Sequence, residues 1–172
     1  MIEILRSRRS IRKYLDKPVE SEKIALLKEA VLRSPSSKNI NPWEFIFIDD
    51  PEMIGKLKHC KPHGAVPLQT APLAVVICAD VNKNDVWIED CSIASIILQL
   101  TAQSLQLGSC WIQIRNRKYD LTITSEGYLQ ELLAIPSHYN ILDIITIGYP
   151  QKERAGKPDS ELQYDKIHTN RF

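Results

Sequence analysis

Apolar and polar positions divide this chain into alternating helical and strand-like stretches. Ile2, Ile4 and Leu5 suit a short helix over 2–8. Ser21 reads as an N-cap, and Ile24, Leu27 and Val31 follow at helical spacing, so a core-facing helix is expected over about 21–33. Trp43 to Ile48 reads as a strand. Pro51, preceded by Asp49 and Asp50, opens a helix that runs to about Lys58. Leu73 to Ala79 is an unbroken apolar run with β-branched residues, the pattern of a strand covered on both faces. Val86 to Leu107 is apolar around most of its circumference and predicts a helix buried on most sides. It is the central helix of the domain, part of a subunit interface, or both. Gly108 reads as its C-cap, and strands follow over 109–114 and 141–149. Between them Ser125 caps a short helix over 126–133, and the tail from Gln151 to Phe172 shows no periodicity.

Length and charge narrow the classes. The 172 residues suit one domain, 1–172, without repeats or a shift in composition. A net charge of +1 provides no global field toward nucleic acid or an anionic membrane, so neither is expected as a partner. No stretch has the pattern of a signal peptide or a membrane span. Cys60, Cys78, Cys91 and Cys110 fit neither a disulfide framework nor a CxxC site, which points to a reducing, cytoplasmic compartment.

The basic residues are instead concentrated locally. Arg8-Arg9-Ser10-Ile11-Arg12 places three guanidinium forks and a hydroxyl within five residues. Such a set can cradle a small anion, phosphate above all, or simply form a solvated basic patch. If the segment is extended, Arg8, Ser10 and Arg12 share one face and Ile11 anchors the other on the core. Ser34 to Pro42 is a polar loop bracketed by prolines, either a linker or a binding loop held against the strand that follows. His59, Cys60 and His63 suggest a metal, but a fourth ligand at suitable spacing is missing, and a surface loop is the competing reading. No GxGxxG or Walker A loop is present, so any bound nucleotide phosphate must be held by side chains.

Several stretches together resemble the signatures of the nitroreductase family of FMN-dependent oxidoreductases. They are Arg8 to Arg12, Pro35 to Phe45, Leu107 to Ile112 and Ile147 to Pro150, in the family's order and across nearly the whole chain. The resemblance implies an α+β fold with a mostly antiparallel sheet flanked by helices, a long apolar central helix and a C-terminal tail reaching a partner subunit. It implies a homodimer with FMN at the interface. Arg8, Arg9, Ser10 and Arg12 would hold the phosphate and ribityl chain. Pro35, Ser36, Ser37, Asn39 and Asn41 would approach the same flavin from the other subunit. Trp111, Ile112 and Gln113 would line the isoalloxazine. A tail cation would complete the phosphate site, Lys157 in the first instance and Arg154 as the alternative.

There are departures. Asn41 stands where glutamine is common, Gln113 where glycine is common, and Asp159 near the place of a tail arginine. The chain is also short for the family. The expected activity is hydride transfer from NADH or NADPH through FMN to a small oxidant such as a nitroaromatic or quinone. No side chain is assigned as a catalytic acid or base, because the flavin carries the chemistry. A flavin-binding sensor or carrier is the alternative.

Overall fold

The computed structural model describes all 172 residues. Four strands form one antiparallel sheet: β1 (Trp43–Ile48), β2 (Leu73–Asp80), β3 (Gly108–Gln113) and β4 (Tyr139–Gly148), in the order β1-β2-β4-β3. Five helices surround it: α1 (Ile2–Ser7), α2 (Ser21–Leu32), α3 (Pro51–Leu57), α4 (Trp87–Ser104) and α5 (Ser125–Leu133). This is the α+β architecture expected.

β2 shows why the sheet lies in the middle. Leu73, Val75, Ile77 and Ala79 join one apolar cluster with residues of α2 and α4, while Ala74, Val76 and Cys78 join another with residues of α3 and α5. The period-2 alternation of a strand sends successive side chains to opposite faces, so an all-apolar strand must be covered twice. Every residue of β2 is buried. A register shift between Ile77 and Cys78 interrupts the β2–β4 ladder, where Ile77 faces Asp143 and Cys78 faces Ile141. The extra residue is a β-bulge. Leu142 joins the α4-side cluster, and Asp143 beside it accepts a 2.8 Å hydrogen bond from the Ser95 hydroxyl of α4.

Several helix ends differ from expectation. Glu20, not Ser21, precedes α2, and the Ser21 hydroxyl donates to Glu22 instead. Thr124 caps α5 by accepting from the Gly127 amide at 2.9 Å, which leaves Ser125 as the first helical residue. At α5 two adjacent hydroxyl residues offered the cap and the first took it, whereas at α2 no side chain caps the first turn. Asp50 caps α3 as its sequence suggests, accepting from the Glu52 and Met53 amides ahead of Pro51.

α4 ends earlier than its apolar pattern suggests. Gln106, at φ 62°, takes the left-handed position after the helix, so Gly108 is not the cap. Gly108 opens β3, paired with Gly148 of β4. A Cβ on Gly108 would lie 2.6 Å from Ile11 Cγ1, and one on Gly148 2.6 Å from Pro72 Cδ. The two glycines let the N-terminal segment and Pro72 close over that end of the sheet. α4 also departs from the expected burial: Asp90, Ser95 and Gln99 are buried, whereas Ile93 and Ile96 are exposed. No helix is long and apolar enough to cross a membrane.

Candidate functional site

The arginine stretch leaves α1 and runs beside β3. Arg8, expected as the last helical residue, already has extended backbone at φ −62° and ψ 131°, so the helix ends one residue earlier, at Ser7. Ser10 bridges Ser109 in parallel, and the Ile11 amide donates to the Ser109 carbonyl at 2.9 Å. Ile11 is buried against Gly108, and Tyr14 further on is buried with its hydroxyl 2.7 Å from the Ile11 carbonyl. Two apolar anchors therefore pin the segment while its polar side chains remain available.

Those side chains line a cleft of about 580 Å³ together with the tail: Arg6, Arg8, Arg9, Ser10, Arg12, Arg154 and Lys157, with Asp159 as the acidic member. No carboxylate lies within ion-pair distance of Arg8, Arg9 or Arg12. Arg8, Arg9 and Arg12, crowded in a half-open cleft without carboxylate partners of their own, repel one another and suit an anion that accepts several forks at once. Gly156 allows the tail to cross here, since a Cβ at that position would collide with the Arg6 carbonyl oxygen. Both tail cations weighed from the sequence thus line the same cleft.

β3 is the edge strand beside this segment. Trp111 and Gln113 are half-exposed, and the Trp111 indole donates to Gln113 Oε1 at 3.0 Å. Ile112, between them, is buried in the α5-side cluster, so its side chain faces away from the surface that its neighbours present. The Gln113 carbonyl accepts from Lys61 Nζ at 2.8 Å. Ser109 and Gln113 both direct carbonyls away from β4, and strand periodicity aims the outward amide of Trp111 the same way.

Lys61 was not visible as a site residue in the sequence. Its loop stood out for His59, Cys60 and His63 instead, and no three metal-ligating side chains converge there. Cys60 is fully buried, and burial pushes its thiol up to about 11. Burial also draws the Lys61 ammonium below its ordinary range.

The 34–42 loop does not line the arginine cleft. It folds on itself: the Ser36 hydroxyl accepts from the Asn41 amide and donates to Asn41 Oδ1, at 2.8 and 2.7 Å. Lys38, Asn39 and Asn41 all have positive φ, 52°, 56° and 52°. Lys38 adopts that region at a cost of roughly 1 kcal/mol or more, asparagine at less, and such strain gathers where a surface is held ready for a ligand. Pro35 is exposed, and Ser36 and Ser37 are half-buried. The single chain therefore brings together the arginines, Ser10 and the tail cations, and separately presents the loop and the β3 edge.

The profile of the Nitroreductase family matches residues 5–59 and 61–149, and the chain belongs to that family. An FMN-dependent nitroreductase of Clostridium difficile R20291 is 51% identical, with a TM-score of 0.98 and full coverage of both chains. A Methanothermobacter thermautotrophicus protein, whose name pairs NADH dehydrogenase with NAD(P)H nitroreductase, is 35% identical over all of this chain and 87% of its own. The FMN reductase [NAD(P)H] of Bacillus subtilis is 29% identical over 92% of this chain and 69% of its own.

Proposed function

We propose that the protein acts as a homodimer, in which the arginine cleft of one subunit and the 34–42 loop of the other enclose FMN. The chain is an FMN-dependent NAD(P)H oxidoreductase of its family. The observation that carries the placement is the cleft of Arg8, Arg9, Ser10 and Arg12, whose guanidinium groups have no carboxylate partners. It fits a phosphate monoester, and its volume of about 580 Å³ lies in the range of cofactor pockets. Two observations support sharing between subunits. The loop lies outside the cleft, and α4 exposes Ile93 and Ile96, which a second copy would cover.

When bound, FMN relays hydride from NAD(P)H to a small oxidant such as a nitroaromatic or a quinone. The protein's part is to bind and orient. Arg8, Arg9 and Arg12 grip the phosphate, Ser10 donates to the ribityl chain, and Lys157 or Arg154 closes over it from the tail. Trp111 and Gln113 supply the wall for the ring, and their outward amides are donors for negative charge that develops there. Lys61 fixes the end of that wall through the Gln113 carbonyl. Four free, buried cysteines suit the cytoplasmic setting in which we place the enzyme.

The test is a visible spectrum of the purified protein under argon before and after NADH or NADPH. Flavin bands that bleach with a nucleotide, and return on adding a quinone or nitroaromatic, are expected. A protein that neither carries nor takes up FMN would overturn the proposal. Bands that resist both nucleotides would favour the carrier or sensor reading.

A further inference from the structure

We propose that Asp90 is a positioning residue for the cofactor, holding the 34–42 loop from beneath in the shape in which it meets FMN. This rests on the FMN reading above.

Asp90 lies in the first turn of α4 and is only 2% exposed. Buried carboxylates are ordinarily paired with a cation. No lysine or arginine lies within ion-pair distance of this one. Its Oδ1 accepts from the Ser37 amide at 2.8 Å, and its Oδ2 accepts from Asn84 Nδ2 at 2.7 Å. The positive end of α4 offsets part of the charge. The acid is thus committed to one backbone amide of the loop and to one side chain that orients it.

That amide sits immediately before the strained run. Ser37 is followed by Lys38 and Asn39 in left-handed backbone, and Asn41 follows at φ 52°. The Ser36–Asn41 hydrogen bonds close the loop on itself but do not attach it to the domain. Asp90 attaches it, across 53 residues of sequence, to the helix that spans the sheet. Asn84 completes the chain: its Oδ1 accepts from the Val86 amide at the start of α4, while its Nδ2 holds Asp90. Binding to a loop already held in place avoids the entropy of ordering it.

The experiment compares Asp90→Ala, Asp90→Asn and the exchange Asn84→Asp/Asp90→Asn by FMN titration, thermal unfolding without FMN, and amide exchange at Ser37 to Asn41. The exchange variant retains an acceptor for the Ser37 amide and restores the 84–90 and 84–86 hydrogen bonds. Asp90→Ala is expected to weaken FMN about tenfold, a loss of preorganisation, and to speed amide exchange in the loop. Asp90→Asn falls between, and the exchange variant recovers wild-type affinity. Loss of affinity with no change in loop amide exchange would overturn the proposal, as would Asp90→Ala binding FMN like the wild type.

Co-expression of Asp90→Ala with Arg12→Ala supplies the second test. If the loop serves the partner's cleft, random pairing regenerates about a quarter of the tight sites. Recovery of none would overturn action across the interface. Failure of the wild type itself to bind FMN would instead overturn the underlying functional reading.

Discussion

The arginine cleft and the 34–42 loop are opposites in construction. The cleft is chemically emphatic and loosely built: its cations lie on an extended segment and an exposed tail, and few hydrogen bonds fix their side chains. The loop is chemically bland and closely held, with left-handed backbone, a self-closing serine–asparagine pair and a buried carboxylate beneath it. The difference teaches a division of labour. On the proposed reading, charge would supply affinity in the cleft, where geometry can adjust to a flexible phosphate. Prearranged backbone would supply orientation in the loop, where the proposed site places a rigid ring.

The sharpest way to break this comparison is to remove charge from the cleft. Arg8→Ala combined with Arg12→Ala should weaken FMN by about two to four orders of magnitude, since each charge-assisted hydrogen bond is worth roughly 1.5–3 kcal/mol. Fluorescence titration reads the loss. Thermal stability without FMN should hold or rise, because like charges are relieved. A loss smaller than that of Asp90→Ala would reverse the roles assigned to the two regions.

The next effect concerns the seat of the cleft. Gly108→Ala places a Cβ 2.6 Å from Ile11 Cγ1, with both residues buried. Overpacking of this kind costs about 2 kcal/mol, and FMN should weaken with it because Ile11 carries the arginine segment. Gly55→Ala in α3 meets nothing within 4 Å and is the control, expected to stabilise by roughly 0.5–1 kcal/mol. Thermal or urea unfolding of both variants checks the contrast.

The same opposition explains what was legible in the sequence. The sheet was readable because β2 is apolar at every position up to Ala79, a pattern that requires cover on both faces. The cluster of arginines with Ser10 was readable because its chemistry is local, whereas the two tail cations were singled out only through the family resemblance. Gly108 was misread because a glycine after a helix fits a cap equally well, and the demand from Ile11 comes from 97 residues earlier. Asp90 was invisible as a site residue because an acid in the first turn of a helix already has a reason to be there. Lys61 was hidden in a loop whose histidines and cysteine suggested a metal. What escaped in each case was a long-range contact with no local composition to announce it.

Asp143 sharpens the comparison from the scaffold side. Like Asp90 it is a buried acid, here on β4 and facing α4, but only its Oδ2 has a partner, Ser95, and its Oδ1 has none. Burial raises its carboxyl well above the usual range despite that hydrogen bond. A raised acid binds its proton more tightly in the folded state, so its contribution is complete below the unfolded value of about 4 and is lost as pH rises toward the folded value. Asp143→Asn should therefore flatten the fall in stability between pH 5 and pH 8. The variant should gain on the wild type across that window. Melting curves at the two pH values test it, and parallel profiles would show that the folded carboxyl is ionised.

The smallest expected effect lies in the tail. Lys157 and Arg154 line the cleft from an exposed segment, attached where Gly156 passes the Arg6 carbonyl. An exposed cation opposite a phosphate contributes below about 1 kcal/mol and is screened by salt. Lys157→Ala should weaken FMN by only about two- to fivefold at low ionic strength, with the difference fading near roughly 0.5 M salt. Arg154→Ala measured in parallel decides which tail cation the phosphate uses. A loss from either variant as large as that of the Arg8/Arg12 pair, and insensitive to salt, would mean that the tail is buried over the cofactor in the assembled enzyme. The cleft would then be held as firmly as the loop, and the contrast between the two regions would be a property of the single chain alone.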